Sequence, residues 1–335
     1  MDIPLAERPQ RPNPSIAVLG VGQLGSRYVQ GLLSGNQPLD IWLQDPSINS
    51  VSAFQKWKGT YSIDVGTHSV KFDSTLSDLP DHFDLVISAT TADIRYESLN
   101  SFLDGRAFDY LILEKLITTG LKDLEDLAAL AGRGKGCWVN HARRLWPIYQ
   151  ELKNELHNAG PIQVIVEGSD WNLGSNSVHF CDLVRWLSSE DLVNLDCSLV
   201  ENEWRESKRQ GFLEFTGELR YGFSSGSDLV LISTLLAEND RVTPVTITIR
   251  TQQGDAVIDE TVGTALGSLL QDVLHGRGPF QSELTADLVG GILQTGECGL
   301  PKFEDVREDH RMYLTELLDY QRRTHQNFSQ TVMIT

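Results

Sequence analysis

The sequence of 335 residues contains few cysteines, few basic residues and no long apolar segment. Four cysteines are spread along the chain, and none forms the Cys-x-x-Cys pair that is typical of zinc sites. We therefore expect buried free thiols, no disulfide framework and no metal site. No apolar run approaches the roughly 20 residues that a membrane-spanning helix needs, so no membrane association is expected. The cysteines are Cys137, Cys181, Cys197 and Cys298.

Basic residues are outnumbered, because 28 lysines and arginines face 46 acidic residues and the formal net charge is −18. A surface of that sign repels phosphate backbones, so nucleic acid is not expected as a partner. A phosphate-bearing cofactor remains compatible with this charge, since the backbone N–H groups at a helix N-terminus bind phosphate without basic side chains. The N-terminal residues lack the apolar segment of a secretory signal, and we expect a cytoplasmic protein.

Two domains are expected for a chain of this length. From residue 15 to about residue 137, short β-branched segments alternate with helical patterns, which is typical of βαβ units and a doubly wound parallel sheet. In residues 192–262, strand patterns follow one another without helices, which indicates a large, mainly antiparallel sheet. We predict a flexible N-terminal tail over 1–14, an α/β domain of the Rossmann type over 15–138 and an α+β domain over 139–335.

Hydrophobic periodicity places the individual elements. The first domain is predicted to contain strands at 16–20, 41–44, 69–72, 85–89 and 110–113, with helices at 25–33, 51–58 and 121–131. A strand at 138–140 is expected to leave this domain. The second domain is predicted to contain helices at 147–158, 178–187, 282–295 and 306–323, with strands at 162–167, 195–200, 212–221, 228–235, 245–250 and 256–260.

A glycine-rich turn follows the first predicted strand and matches the pattern G-x-G-x-x-G at residues 20–25. In such turns Gly20 would make the tight bend, Gly22 would let the backbone approach a pyrophosphate, and Gly25 would allow the helix to pack closely on the strand. The backbone of Gln23 and Leu24 would open the helix that faces the phosphates. Because a strand precedes the turn and a helix follows it, we favour a dinucleotide site over a turn that binds nothing.

An acidic residue, Asp45, follows the second strand 20 positions beyond Gly25. A carboxylate in this place accepts hydrogen bonds from the adenosine ribose and repels a 2′-phosphate. No arginine follows it to hold such a phosphate, so NAD(H) is favoured and NADP(H) is the alternative. The segment Ala89, Thr90 and Thr91 ends the fourth strand and would lie over the same crevice, where doubly wound sheets bind their ligands.

Two charged residues, Glu114 and Lys115, stand directly at the carboxyl end of the buried strand at 110–113. A buried ammonium group is costly unless it is paired or functional. The structural alternative is a lysine that extends from the strand end into solvent. The functional hypothesis places Lys115 where a nicotinamide ring and a substrate would meet.

At this point the sequence resembles the glucose–fructose oxidoreductase/inositol dehydrogenase (Gfo/Idh/MocA) family. The resemblance covers most of the chain and rests on IAVLGVGQLGSRYVQGLL at 16–33, LVISATT at 85–91, LILEKLIT at 111–118 and GSNSVHFCDLVRWL at 174–187, supported by VNHARRLWP at 139–147. It implies that Lys115 binds the substrate hydroxyl and assists proton transfer. Leu116 stands where the family has a proline.

The family's second motif, an Asp, a His four positions later and an Asp three beyond, corresponds here to Ser175, His179 and Asp182. The resemblance implies that His179 is the general acid/base, because imidazole titrates near neutral pH. A structural histidine is the alternative. Ser175 would hydrogen-bond a substrate but cannot act as a carboxylate, and Asp182 would orient its surroundings. Ser175 and His179 share one helical face if the helix begins by Ser175.

Further side chains could contribute to substrate binding at the junction of the two domains. Asn140 and Arg144 are candidates. Arg144 could neutralise an anionic substrate or, as is commoner for an arginine, pair with a surface acid. Trp171 and Asn176 could line the pocket, and Trp171 could also be a core residue. The acidic clusters at 123–126 and 303–309 are expected to be solvated helix faces.

The resemblance implies an NAD(P)-dependent oxidoreductase that moves hydride between nicotinamide and a hydroxyl or carbonyl carbon of a sugar, cyclitol, amino sugar or related small molecule. One alternative is a cofactor-binding regulator or scaffold without catalysis, which the missing Asp and Pro would favour. Another is reduction of a C=N bond on the same scaffold. Substrate binding and association into a homodimer or homotetramer would involve the second domain and its open sheet face.

Overall fold

The computed structural model describes residues 13–47, 52, 55, 66–73, 79–236, 242–325 and 329–335. Residues 1–12 of the predicted tail and nearly all of the predicted helix at 51–58 lie outside the described residues. Within them, two large sheets and seven α-helices account for the fold.

The first sheet has six parallel strands in the order β3-β2-β1-β4-β5-β6. β1 is buried along its whole length, and its Ile16 pairs with Ile41 on one side and Leu85 on the other. The strand order reverses between β1 and β4, which opens a crevice at their carboxyl ends. The predicted doubly wound parallel sheet is therefore confirmed. Its strands are β1 (Ser15–Leu19), β2 (Asp40–Gln44), β3 (Ser69–Asp73), β4 (His82–Ser88), β5 (Ala107–Leu113) and β6 (Gly136–Val139).

Two features of this half differ from the sequence prediction. β6 pairs in parallel with β5 and completes the first sheet, so the strand predicted at 138–140 does not leave it. The helix α2 was not predicted, because it is short and buries only a few apolar side chains, Leu99 and Phe102 among them. The helices of this half are α1 (Gln23–Leu33), α2 (Arg95–Phe102) and α3 (Leu121–Ala131).

The second sheet has eight strands in the order β16-β15-β14-β13-β7-β12-β11-β8, and all neighbours are antiparallel except β7 and β12. The predicted large, mainly antiparallel sheet is confirmed.

The strand predicted at 212–221 is split, because Gly217 adopts a positive φ of 107°. A separate pair is formed by β9 (Arg205–Glu206) and β10 (Leu213–Glu214). The eight strands are β7 (Gln163–Ser169), β8 (Leu192–Val200), β11 (Gly217–Phe223), β12 (Asp228–Thr234), β13 (Thr246–Thr251), β14 (Gly254–Asp259), β15 (Thr264–Leu266) and β16 (Leu274–His275).

Four helices and a short 3₁₀ turn at Ala142–Leu145 complete the described fold. α5 begins five residues before its predicted start, so Ser175 and His179 do lie on one helix, four residues apart. The last two helices connect the halves of the molecule: α6 packs on α1 and α7 packs on α3, α5 and β8. The helices are α4 (Pro147–Glu155), α5 (Leu173–Ser188), α6 (Gln281–Thr295) and α7 (Phe303–His325).

All four cysteines are free thiols, of which Cys137, Cys181 and Cys197 are buried and Cys298 is half-buried. Burial raises the pKa of the buried thiols, so they remain protonated. No helix in the described part of the chain is both long and apolar enough to cross a membrane.

Candidate active site

The glycine turn at 20–25 connects β1 to α1 at the crevice of the first sheet. Gly20 has a φ of +80°, and its N–H donates to the Gln44 carbonyl at 2.9 Å. A Cβ added to Gly25 would lie 1.8 Å from the Gly20 carbonyl oxygen, whereas one added to Gly22 would meet nothing within 4 Å. α1 begins without a side-chain cap, so the backbone at Gly22 faces open space beside uncapped N–H groups. This is the shape that a pyrophosphate needs.

The Asp45 carboxylate lies at the end of β2, directly beside this turn. Its Oδ2 accepts from the N–H of Val21 at 2.8 Å, and its Oδ1 accepts from the N–H of Ser47 at 2.8 Å. These two bonds fix the orientation of the carboxylate, and each oxygen retains acceptor capacity. Asp45 is thus a rigid acceptor at the place where an adenosine ribose would lie.

The end of β4 forms the opposite wall of the crevice. The N–H of Ala89 donates to the Leu19 carbonyl at 2.8 Å, which holds the two strand ends together. The hydroxyls of Ser88 and Thr90 are 3.2 Å apart. The predicted cofactor segment at 89–91 therefore adjoins the glycine turn.

Glu114 is buried at the carboxyl end of β5 and accepts two hydrogen bonds at Oε1. The donors are the Tyr28 hydroxyl at 2.5 Å and the Asn140 Nδ2 at 2.6 Å, and Asn140 also donates to the Gln281 side chain at 2.8 Å. Burial raises the pKa of Glu114. This network joins α1, β5, the segment after β6 and α6. Nothing in the sequence indicated that Tyr28 and Gln281 take part in this network.

Arg95 of α2 is a fully buried cation that the sequence analysis missed. Its guanidinium donates to the carbonyl oxygens of Thr90 and Leu116, and to that of Ile117 at 2.7 Å. Burial lowers its pKa to about 10, so it is charged at neutral pH. Three carbonyls on two loops are thereby held beside Lys115. The peptide bond between Lys115 and Leu116 is cis.

Lys115 extends from the end of β5 to the first turn of α5. Its Nζ donates to the Ser175 carbonyl oxygen at 2.8 Å, so the side chain reaches the second half of the molecule and not open solvent. Burial lowers the pKa of Lys115 to about 8, and the charges of Glu114 and Glu214 act against this shift. The structure therefore brings together Lys115 and Ser175, which lie 60 positions apart.

Glu214 of β10 supplies a carboxylate to the same turn of α5. Its Oε2 accepts from the N–H of Gly174 at 2.8 Å, and its Oε1 accepts from the N–H of Ser175 at 3.1 Å. An acid at a helix N-terminus satisfies N–H groups that lack helical partners and complements the helix dipole. Burial raises the pKa of Glu214. Nothing in the sequence marks Glu214, because β10 is a two-residue strand.

His179 lies one turn further along α5, half-buried. Its Nδ1 is 3.2 Å from the Nδ1 of His141, and the two rings are nearly perpendicular. Burial, followed by the charges of Lys115 and Arg143, lowers the pKa of His179 well below its ordinary value. His179 is therefore neutral at physiological pH. The partner, His141, carried no sequence signal.

The remaining predicted substrate residues are anchored by protein contacts. Arg144 forms a two-point ion pair with the buried Asp182, with its Nε 2.8 Å from Oδ2. Trp171 donates to the Ile232 carbonyl at 2.8 Å, packs edge-on against Phe180, and accepts at its own carbonyl from Asn176 at 2.9 Å. Arg144 therefore pairs with an acid, Asp182, which was the alternative interpretation. Trp171 packs against Phe180.

Within the described ranges, no three His, Cys, Asp or Glu side chains are grouped so as to hold a metal ion. The candidate site comprises the glycine turn, Asp45, the segment at 89–91, and the residues Lys115, Ser175, Glu214 and His179.

No family model matches the chain, and no curated protein matches its sequence. Solved structures do match its fold. UDP-N-acetylglucosamine 3-dehydrogenase from Acidithiobacillus ferrooxidans superposes with a TM-score of 0.67 at 12% identity, covering 95% of this chain and 99% of that one. The WlbA dehydrogenase from Bordetella pertussis, in complex with NADH and UDP-GlcNAcA, gives a TM-score of 0.63 at 15% identity, covering 94% and 97%.

A further match is scyllo-inositol dehydrogenase from Lactobacillus casei with bound NAD(H) and scyllo-inositol, with a TM-score of 0.62 at 15% identity. It covers 94% of this chain and 98% of the other. In all three cases the match covers at least 94% of this chain. At these identities the likeness shows the fold, and the chemistry has to be argued from the side chains.

Proposed function

We propose that this chain, which has the fold of the Gfo/Idh/MocA-type oxidoreductases, is an NAD(P)-dependent oxidoreductase. Its substrate would be a sugar, amino sugar, cyclitol or related small molecule that is oxidised or reduced at a hydroxyl or carbonyl carbon. The contact that carries the proposal is the hydrogen bond from Lys115 Nζ to the Ser175 carbonyl, with His179 one helical turn away. It brings an ammonium group to the helix that carries His179, close enough for the Lys115 charge to lower the pKa of that imidazole.

The cofactor would be held by the glycine turn and Asp45. The open backbone at Gly22 accommodates a pyrophosphate, and the fixed Asp45 carboxylate suits ribose hydroxyls and disfavours a 2′-phosphate. We therefore propose NAD(H) as the favoured cofactor, with NADP(H) as the alternative. Two of the solved relatives contain NAD(H), and another is described as NADPH-dependent.

When bound, the nicotinamide exchanges a hydride with the substrate carbon. The Lys115 ammonium group would donate a hydrogen bond to the substrate oxygen and stabilise the negative charge that develops there during the reaction. The Ser175 carbonyl fixes Nζ through one of its three protons, so two remain for the substrate and its surroundings.

The proton of the substrate hydroxyl would move to His179. Because its Nδ1 faces His141, Nε2 is the nitrogen left for the substrate. A neutral imidazole can accept this proton directly. In the reverse direction the protonated ring would return it to the carbonyl oxygen.

Glu214 would compensate for the absence of a carboxylate at Ser175. It holds the first N–H groups of α5 and brings a negative charge near the Lys115 ammonium group. We propose that Glu214 is a positioning residue, which keeps the Ser175 carbonyl in place and favours the charged form of Lys115.

The test is a titration of the protein with NADH and NADPH, followed by a screen of sugars, amino sugars, cyclitols and nucleotide-linked sugars for turnover. Binding of NADH with turnover of one such compound supports the proposal. Binding without turnover would instead support a regulator or scaffold, and binding of neither nucleotide would refute the proposal.

We also propose the division into domains at 15–138 and 139–335, and association through the open face of the second sheet. This face presents partly exposed apolar side chains on several strands, among them Ile165 of β7, Val230 of β12 and Val257 of β14. Light scattering should show a dimer or tetramer, and a 37.4 kDa species at micromolar concentrations would contradict the association.

A further inference from the structure

A row of three histidines runs from the candidate site into the interior of the molecule. His179 of α5 contacts His141, which follows β6, and the ring centroid of His141 is 5.4 Å from that of His310 on α7. His141 is fully buried and His310 is 2% exposed. The proposed function uses only the first of these rings, so the other two have no assigned role.

The hydrogen bonds define which nitrogens point inward. The Nδ1 of His310 donates to the Val306 carbonyl at 3.0 Å, so its Nε2 is an acceptor. The Nδ1 of His141 faces His179, which leaves its Nε2 as the second nitrogen. Both Nε2 atoms are buried and contact no hydrogen-bonding group among the described residues. A buried polar atom without a hydrogen-bond partner destabilises the fold, so two such atoms on neighbouring rings indicate a bound partner.

A small cavity, partly open to the surface, lies beside these two rings. Its volume is about 10 Å³, and it is lined by His141, Asp182, Tyr221, Asp309 and His310, among others. A cavity of this size with several polar walls holds one water molecule.

We propose that a water molecule bridges His141 Nε2 and His310 Nε2, and that His179, His141 and this water carry a proton from the cleft to Asp309. The role in proton transfer rests on the proposed function, whereas the water site does not. Asp309 lines the same cavity, and its side chain is 12% exposed, so it forms the outlet to solvent.

The transfer balances in protons. Oxidation of the substrate hydroxyl to a carbonyl removes a hydride from the carbon, which the nicotinamide cofactor would accept, and a proton from the oxygen. The O–H proton moves to His179 Nε2. His179 then passes its Nδ1 proton to His141 Nδ1, and His141 passes its Nε2 proton to the water. The water passes one proton to the Asp309 carboxylate, which releases it to solvent. Each ring ends neutral with its proton on the other nitrogen, and exchange with solvent after product release resets the tautomers.

The pKa shifts of the buried groups favour proton transfer along this path. Burial lowers the pKa of His141 well below its ordinary value and that of His310 to about 3, so neither ring traps the proton as a stable cation. Burial raises the pKa of Asp309 to about 7, which lets it accept and release a proton near neutral pH. The charged groups that face Asp309 are Arg185, Asp182, Asp191 and Arg144. The sequence predicted that the acidic cluster at 303–309 is a solvated helix face. Asp309 is an exception, because its side chain is only 12% exposed.

The water site is tested by high-resolution X-ray or neutron diffraction from crystals of the unmodified protein. Density within hydrogen-bonding distance of both Nε2 atoms would support the site. An empty cavity, or a direct contact between the two rings, would overturn it. This result does not depend on cofactor or substrate.

The path is tested with His141→Gln and Asp309→Asn, assayed with the compound that the substrate screen identifies. His275→Gln and Asp305→Asn are matched controls, because both residues are exposed. We expect each test variant to lower kcat for hydroxyl oxidation by ~10-fold or more and to raise the solvent deuterium isotope effect, with NADH affinity unchanged.

Wild-type kcat and isotope effect in both folded test variants would overturn the path. Melting temperatures establish that the variants are folded, and Asp309→Asn, which changes a partly exposed side chain, keeps the test valid if His141→Gln does not fold. Absence of NADH binding and of turnover in the wild-type protein would contradict the proposed function and the path together, and diffraction would still decide the water site.

Discussion

The Nζ of Lys115 lies 2.8 Å from the carbonyl oxygen of Ser175, which joins the end of the first sheet to the first turn of α5. Hydrogen bonds from other residues fix the backbone on both sides of this contact. Arg95 holds the carbonyls that follow Lys115, and Glu214 holds the N–H groups of Gly174 and Ser175. The proposed catalysis and the packing between the two halves of the molecule therefore depend on the same hydrogen bond.

The first prediction concerns Lys115 and His179 as a pair. Lys115→Ala and His179→Ala should each lower turnover by ~10²-fold or more, because both act on the same substrate oxygen and its proton. NADH binding should be nearly unchanged. The double variant should lose less than the product of the two single effects. Steady-state kinetics with the identified substrate provide the measurement, and full turnover in Lys115→Ala would eliminate this mechanism.

The second prediction is a loss of activity at alkaline pH. Because burial lowers the pKa of Lys115 to about 8, its ammonium form is present below that pH and is lost as the pH rises through it. A mechanism that needs the ammonium group should therefore show kcat/KM falling by about tenfold per pH unit above pH 8. His179 should add no acidic limb near neutrality, since its pKa lies well below the ordinary value. A kcat/KM that stays flat to pH 10 would count against the role of Lys115.

The third prediction concerns Glu214→Gln. Removing this charge should shift the alkaline limb to lower pH, because Glu214 favours the charged form of Lys115. It should also weaken the N-terminal cap of α5, at a cost of about 1 kcal/mol in the free energy of unfolding. Glu206→Gln, on the neighbouring strand and exposed, is the control. An unchanged pH profile in Glu214→Gln would contradict its effect on Lys115, and unchanged stability would contradict its capping role.

The fourth prediction contrasts two glycines of one turn. Gly25→Ala should lower the free energy of unfolding by about 3 kcal/mol or prevent folding, because its Cβ would lie 1.8 Å from a carbonyl oxygen. Gly22→Ala should keep the wild-type melting temperature, since its Cβ meets nothing within 4 Å. It should nevertheless weaken NADH binding, because the added methyl group fills the place proposed for the pyrophosphate. Calorimetry and NADH titration measure both effects. Unchanged NADH affinity in Gly22→Ala would place the cofactor elsewhere.

The fifth prediction is that Asp45 sets the cofactor preference. Asp45→Asn keeps an acceptor for the Val21 N–H and removes the negative charge, so the variant should fold normally. Its affinity for NADH should fall, and its discrimination against NADPH should relax. Asp45→Ala should in addition lose stability by about 1–3 kcal/mol, because a buried N–H is left without its acceptor. Equal NADH and NADPH affinities in the wild-type protein would refute this role for Asp45.

The architecture could be predicted from local patterns in the sequence. Apolar runs with strand and helix periodicity are local signals, and they predicted both sheets and most of the helices. The glycine turn was equally visible, because the need for a positive φ at Gly20 and for a missing Cβ at Gly25 leaves glycine as the residue that fits. Lys115 was singled out as a charge at the end of a buried strand, and His179 was named through the resemblance to the family's second motif.

The side chains that surround Lys115 and His179 could not be predicted in this way and were identified from the folded chain. Glu214 lies on a two-residue strand, Arg95 on an unpredicted helix and His141 in a loop, and no periodicity marks any of the three. Their roles arise from contacts between residues far apart in the chain, such as the 39 positions that separate Ser175 from Glu214. Local sequence patterns carry no information about such pairs, because a buried charge becomes favourable only through the partners that the folded chain brings to it.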